Sequence, residues 1–410
     1  MPPRKKNVAT PDAADSKNSL LLARSALDRV FKEDDVFVDI DEDRLKQSLP
    51  HISSGSVIID FLIGGTPNRF GVQPCPGFPR GRLVNLYGHE SSGKTTLCLM
   101  AAAAVIRAGG KVCYIDWEHA IDIAYSEALG VPMRDKSKFM LAQPQTLEKG
   151  LSIVWAMCKA GVDLIVVDSV GSCVPQAVFE QTIGEQGQQA RVGAIAAAWS
   201  QFLPKLRGVI THSQSCVIGI SQLRDAINTG GGGYGGEKSI QQGGRAWKFN
   251  SDVRLSLRKF QQEKGKAYDA MTHTKIDTVT GVIAMAKIDK CRVAASQGKE
   301  AKFYIKFGEG IDDIRSIIEV ASNHNLVSKA GAWYNWDQAN GNTIRGCGMD
   351  AFKAEVKKTP GAWEELYKAT LSAAVVTGDA IEEEEVEEDL DLTAILNGVQ
   401  EPAPVAEDGE

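Results

Sequence analysis

A glycine loop that ends in lysine and threonine, with two acids at the ends of later apolar runs, holds the residue types needed to bind nucleotide phosphates. Gly88, His89, Glu90, Ser91, Ser92, Gly93, Lys94 and Thr95 fit the pattern G-x-x-x-x-G-K-[ST], and Thr96 follows. Glycines let the backbone turn tightly enough to aim successive N–H groups at phosphate oxygens, and a helix N-terminus behind them adds positive potential. Lys94 would reach the β- and γ-phosphates as a point charge, and Thr95 would place a hydroxyl on Mg²⁺. Asp168 closes the apolar run Asp163-Leu164-Ile165-Val166-Val167 and would bind the same Mg²⁺ through water. Glu118 follows another apolar stretch, 111–116, within Trp117-Glu118-His119.

Such side chains work only if regular elements hold them. Leu83, Val84, Leu86 and Tyr87 predict a buried strand into the glycine loop. Leu97, Leu99, Met100 and Ala101 to Ala104 predict a helix after it, stopping at Gly109-Gly110. Further strands are expected at 111–116, 163–168 and 216–221, the last running to Gln222, with helices at 146–160 and 194–206. His51 to Gly65 reads as strand, turn, short helix and glycine stop, and 66–79, rich in Pro and Gly, as an irregular loop. Strands at 253–257, 282–286 and 303–307 would extend the sheet, and 313–328 and 350–375 read as helices. No repeat of 20–50 residues is present.

At 410 residues the chain has room for two or three domains, with a hydrophobic content of 43% that is ordinary for a globular protein. No run of about eighteen apolar residues predicts a membrane span, and the polar start MPPRKKNVATPDAADSKN does not read as a secretory signal. Eight scattered cysteines without a Cys-x-x-Cys pair suit a reducing compartment, where they serve as small core hydrophobes. The net charge of −6 conceals an asymmetry. Thirteen of the 52 acids, and no Lys or Arg, lie in 379–410, so residues 1–378 carry about +7. Either the tail competes with nucleic acid for a basic surface, or it is a solvated, solubilising tail. Residues 1–18 read as disordered. Apolar residues at 20, 21, 22, 26, 27, 30 and 31 form a helical stripe that must bury against this chain's core or a neighbouring subunit.

Taken in order, GHESSGKTT, IDWEHAID (115–122), LIVVDSV (164–170), ISQLRD (220–225), Gly243-Gly244 before AWKF, FGEGI (307–311) and KAGAWY (329–334) resemble the bacterial and phage RecA-type DNA recombinases. The resemblance spans roughly residues 50–340. It implies an α/β fold: a P-loop NTPase core with a mostly parallel central sheet, RecA-like, an N-terminal helical polymerisation arm and a small α+β C-terminal domain. The boundaries expected are 1–50 for the disordered start and arm, 51–312 for the core with its DNA-binding loops, 313–378 for the small domain and 379–410 for the acidic tail.

The activity implied is DNA-stimulated ATP hydrolysis, with Mg²⁺, by a helical filament on single-stranded DNA. That filament pairs and exchanges strands with homologous duplex DNA in recombinational repair and the DNA-damage (SOS) response. By the resemblance Glu118 is the general base toward the γ-phosphate, Asp122 and Tyr125 contact adenine, and Gln222 senses the γ-phosphate. Lys287 and Lys290 match two lysines that reach ATP across the subunit interface. Here they are spaced Lys-Ile-Asp-Lys, one residue longer than the family's pair. The first DNA loop, around 180–191, carries over only Arg191. The second, 224–244, offers Arg224 and Lys238, with Arg245 just after it, for phosphates and Tyr234 for stacking on bases. Single-strand-binding and loader proteins are expected partners, no membrane is, and the location implied is the cytoplasm, at the nucleoid of a bacterial or phage-infected cell.

Two other classes share this core. A hexameric helicase motor should lack the N-terminal stripe and the KAGAWY stretch, and a non-catalytic ATP-gated DNA-binding paralogue should have lost Glu118 or Lys94. All four features are present. The insertion GVQPCPGFP (71–79) has no counterpart in the pattern, and DLTAILNGV (391–399) is either a docking motif for a partner or without a role.

Overall fold

The structure is a computed structural model that describes residues 42–180, 188–225, 239–269 and 273–376, with Arg24 and Leu27, both helical. The rest of the N-terminal stripe, residues 1–18, the 391–399 segment and the acidic tail lie outside the described residues. So do Tyr234, Lys238 and most of the first DNA loop. The chain divides into two compact units that meet between Ile311 and Asp312.

The first unit starts with a 3₁₀ turn at Glu42–Lys46, then β1 (His51–Ile52), α1 (Val57–Gly64), β2 (Phe78–Pro79), β3 (Leu83–Gly88) and α2 (Lys94–Arg107). Next come β4 (Val112–Asp116), α3 (Ile123–Ala128), β5 (Phe139–Ala142), α4 (Leu147–Lys159) and β6 (Leu164–Asp168). After α5 (Gln176–Phe179) and α6 (Gln188–Ser213) run β7 (Cys216–Asp225), β8 (Ser239–Gln241) and α7 (Arg245–Asn250). A long hairpin of β9 (Val253–Asp269) and β10 (Thr274–Cys291), then β11 (Glu300–Lys306) and β12 (Gly310–Ile311), complete it. Ten strands form one sheet in the order β12-β11-β10-β9-β3-β7-β6-β4-β5, with β8 paired to β7.

The central pairs β9-β3-β7-β6-β4-β5 are parallel. Their sequences say why: β4 and β6 are buried at every position, as strands covered on both faces must be. On one face Trp199 of α6 meets Trp247 of α7 at 5.2 Å and Trp117 at 6.3 Å, both edge to face. A Cβ on Gly150 would lie 2.0 Å from the Trp117 ring, and one on Gly219 2.5 Å from that of Trp247, so both glycines are spaces for indoles.

The second unit holds α8 (Asp313–Asn323), a three-stranded antiparallel sheet of β13 (Ser328–Ala330), β14 (Trp333–Asp337) and β15 (Thr343–Cys347), then α9 (Met349–Lys358) and α10 (Ala362–Val376). Tyr334 stacks on Phe352 at 5.7 Å, and Ile317, Ile318, Val356 and Leu366 are buried.

Several elements differ from expectation. The helix expected at 350–375 is broken at Thr359-Pro360-Gly361, because proline disfavours helix at the residue before it and Gly361 has φ +74°. The helix expected to reach 328 ends at Asn323, and Asn325 turns back at φ +58°. The helix expected over 194–206 runs from Gln188 to Ser213, with Pro204 inside it at an exposed position. β9 and β10 extend far beyond 253–257 and 282–286 as a ribbon whose polar sequence carries no apolar alternation. The 71–79 insertion ends as β2, paired antiparallel with β1. It buries Cys75 and Phe78 completely, and Gln73 donates to the Gly65 carbonyl at 2.9 Å. None of the described cysteines forms a disulfide, and six of them are buried.

Candidate functional site

Parallel pairing brings the C-terminal ends of β3, β4, β6 and β7 to one edge of the sheet, where open α/β sheets bind ligands. Gly88 registers with Gln222, and Asp116 with Asp168. The glycine loop spans β3 and α2, with Gly93 at φ +89° as the helix N-cap. A Cβ there would fall 2.3 Å from Ile305 Cδ1, and one on Gly88 would fall 2.0 Å from the Leu257 carbonyl oxygen. Gly93 is therefore needed for its left-handed turn, and Gly88 for the close approach of the neighbouring strand's backbone.

Glu90, Ser91, Ser92, Gly93, Lys94, Thr95, Thr96, Glu118, Asp168 and Gln222 line one cavity of about 200 Å³. Lys94 is 7% exposed and donates to the carbonyls of Gly88 at 3.0 Å and His89 at 2.6 Å. Burial lowers its pKa, while the negative charges of Asp168, Glu118 and Glu90 oppose that. Asp168 Oδ2 accepts from Thr95 Oγ1 at 3.0 Å and from Tyr114 Oη at 2.7 Å. Burial pushes the Asp168 carboxyl up to about 6, and the charges of Glu118 and Asp116 add to that against its hydrogen bonds.

A buried carboxylate kept short of compensating charge, a threonine hydroxyl on it and a lysine satisfied by loop carbonyls suit Mg²⁺ and a polyphosphate. Among the described residues no group of three or more His, Cys, Asp or Glu could hold a metal by itself. Mg²⁺ does not require such a group, since it takes one or two carboxylates and completes its shell with phosphate and water.

Glu118 stands in the turn after β4. Its amide donates to Asp116 Oδ1 at 3.0 Å, which fixes the turn. Its Oε1 accepts from Gln222 Nε2 at 2.8 Å and Ser172 Oγ at 3.0 Å. Asp116 Oδ2 also accepts from Gln143 at 3.2 Å. Asp122 caps α3, its Oδ1 accepting from the Tyr125 amide at 3.0 Å, so it stands just before the helix that carries Tyr125. Tyr125 Oη lies 3.2 Å from Thr96 Oγ1, which joins this helix to the first turn of α2.

The described residues expected to meet DNA lie elsewhere. Arg224 is on β7, exposed. Turned so that its oxygen faces Arg224, the Gln242 amide accepts from Nη2 at 2.9 Å. Arg245 is exposed at the start of α7, and Arg191 falls within α6. Neither Lys287 nor Lys290 lines the cavity. Lys287 is exposed on β10, and Lys290 Nζ donates to the Phe249 carbonyl at 2.9 Å, at the C-terminal end of α7.

Sequence reasoning missed Ser172, which holds Glu118, Tyr114, which holds Asp168, and Asp116, which fixes the Glu118 turn and accepts from Gln143. Ser172 and Gln143 sit in irregular segments, and Tyr114 and Asp116 read as ordinary positions of a buried strand.

Residues 18–312 match the family model of the RecA N-terminal domain. Protein RecA of Streptococcus pneumoniae (strain Hungary19A-6) is 34% identical over 365 residues, covering 88% of this chain and 86% of that protein. Protein RecA of Halalkalibacterium halodurans is 35% identical over 354 residues, covering 86% and 90%. A crystal structure of the RadB recombinase aligns with a TM-score of 0.43 at 23% identity, covering 64% of this chain and 99% of that one. With a phosphate-loop site at the sheet edge and relatives of this identity along most of its length, the chain belongs to the RecA family of recombinases.

Proposed function

We propose that this protein hydrolyses ATP in response to single-stranded DNA, forms a helical filament on that DNA, and exchanges strands with homologous duplex in recombinational repair and the damage response. The observation that carries the reading is the 2.8 Å hydrogen bond from Gln222 to Glu118. It ties an acid beside the phosphate cavity to the strand that leads into 226–238, the segment expected to hold DNA.

Lys94 and the amides of the glycine loop bind the β- and γ-phosphates. Thr95 and, through water, Asp168 would hold Mg²⁺, which when bound would neutralise charge on the phosphate oxygens. Glu118 takes the proton of the attacking water, and Gln222 reports the γ-phosphate to the DNA segment. Asp122 and Tyr125 contact adenine. Lys287 and Lys290 reach the ATP of an adjacent subunit, and a head-to-tail interface of that kind, if it does not close, makes a helix. Arg191, Arg224, Lys238 and Arg245 meet phosphates and Tyr234 stacks on bases. The site of action is the cytoplasm, with single-strand-binding and loader proteins as further partners.

A strand-exchange assay with circular single-stranded DNA and homologous linear duplex tests this. ATP-dependent joint molecules and nicked circles are expected, with filaments visible by electron microscopy. Closed rings, or unwinding without pairing, would assign the chain to a motor of another kind.

A further inference from the structure

Lys287 and Lys290 are three positions apart, a spacing that in a regular strand points side chains to opposite faces. The register shows otherwise. Lys287 opposes Ser256 and Lys290 opposes Arg254, two apart on β9, because the ladder shifts between Ile288 and Lys290 and leaves Asp289 as an extra residue. A β-bulge thus returns both lysines to one face.

The bulge is held from the next strand but one. Tyr87 of β3, the strand that enters the phosphate loop, donates its hydroxyl across β9 to Asp289 Oδ2. Tyr87 registers with Ser256 and Asn85 with Arg254, so all of these residues share the lysines' face. Tyr87 is itself fixed. The Arg254 guanidinium, in a residue 8% exposed, lies 4.5 Å from its ring centroid. Arg254 Nη2 donates to Gln241 Oε1 at 3.1 Å, Gln241 Nε2 to Asn85 Oδ1 at 2.8 Å, and Asn85 Nδ2 to Ser221 Oγ at 3.0 Å. Gln241 ends β8, the strand that resumes after 226–238.

We propose that Asp289 and Tyr87 are positioning residues for the reaction: their hydrogen bond locks the bulge that presents Lys287 and Lys290 together. This rests on the reading that those lysines act at a neighbouring subunit's ATP. The lock is anchored on the phosphate strand and, through Arg254 and Gln241, on the end of the DNA segment.

The test is DNA-stimulated ATP turnover by the full chain in Tyr87→Phe, Asp289→Ala, Asp289→Asn and a deletion of Asp289, with thermal unfolding to confirm folding. Tyr87→Phe keeps the ring under Arg254 and removes only the donor. It should lower kcat about fivefold with KM for ATP unchanged, and Asp289→Ala should do the same without adding to it. Asp289→Asn keeps an acceptor oxygen and should recover most of the loss. Deleting Asp289 leaves Lys-Ile-Lys, two apart on an unbulged strand, so Tyr87→Phe should have no effect in that background. A merely structural tyrosine would not be silenced this way. Additive losses, or a Tyr87→Phe protein with wild-type kcat, would overturn the lock. If Lys287→Ala and Lys290→Ala leave DNA-stimulated turnover unchanged, the lysines' role fails, and the lock with it. Should the deletion not fold, the non-additivity of Tyr87→Phe with Asp289→Ala and the recovery in Asp289→Asn decide the matter.

Discussion

Gln222 and Glu118 are 104 positions apart in sequence and share a 2.8 Å hydrogen bond at the edge of the sheet. The acceptor, Glu118 Oε1, also takes the Ser172 hydroxyl at 3.0 Å, so the acid is held by groups from the turns after β6 and near the end of β7. The Gln222 carbonyl in turn accepts from the Gln242 amide at 3.0 Å, which closes the base of the 226–238 segment. A displacement at the ends of that segment would therefore have a short route to the acid.

If this route is used, Gln222→Ala should leave ATP binding intact and reduce DNA-stimulated turnover about tenfold, the order expected from losing one hydrogen bond to a charged group. Steady-state hydrolysis with and without single-stranded DNA, next to nucleotide-binding measurements, checks it. Retained stimulation would remove Gln222 from the coupling.

If Asp168 holds Mg²⁺, the binding depends on pH. Its folded carboxyl stands at about 6 against an ordinary 3.8, raised chiefly by burial. The native state thus holds this proton more tightly than the unfolded chain, and the group's contribution to stability falls as pH rises from about 4 to about 6. A water-mediated contact with Mg²⁺ is strongest when the carboxylate is ionised, so Mg²⁺ affinity should fall as pH drops below about 6 and level off above. Measured as the ratio of wild type to Asp168→Asn, which cancels the nucleotide's own titration, Mg²⁺-dependent nucleotide binding between pH 5 and 8 should show this. In the absence of Mg²⁺, Asp168→Asn should also raise Tm at pH 7.5. A ratio independent of pH would mean that Asp168 does not face the metal.

The acidic tail yields a prediction from charge alone. Deleting residues 379–410 changes the formal net charge from −6 to about +7. Affinity for duplex DNA should rise, its Mg²⁺ requirement fall, and the dependence of binding on salt steepen. Unchanged binding across a salt and Mg²⁺ titration would leave the tail a solubilising segment.

The candidate nucleotide site was legible because most of its parts follow or end short buried strands. Leu83–Gly88 leads to Lys94 and Thr95, 111–116 to Glu118, and Leu164–Asp168 ends in its own acid. Parallel pairing then brings those ends together, a consequence of local pattern that sequence states directly. Groups that act by contact at long sequence separation were not legible. Ser172 on Glu118, Tyr114 on Asp168 and Tyr87 on Asp289 are side chains without a motif. The extent of the β9–β10 ribbon was hidden for another reason: cross-strand pairing sustains it while its residues face water, so no apolar alternation marks it. The longer spacing of Lys287 and Lys290 was visible in the sequence, but the bulge that absorbs it shows only in the register.

The central claim, that Glu118 activates water at an ATP site coupled to DNA, is tested most directly by ATP hydrolysis of wild type and Glu118→Gln, with and without single-stranded DNA, with filaments imaged in parallel. Strong DNA stimulation in the wild type is expected. The Gln variant should turn over at least about a hundredfold more slowly while still forming ATP-bound filaments, since it loses the base and keeps the phosphate cradle. Hydrolysis that persists in Glu118→Gln, or that is indifferent to DNA in the wild type, would contradict the account.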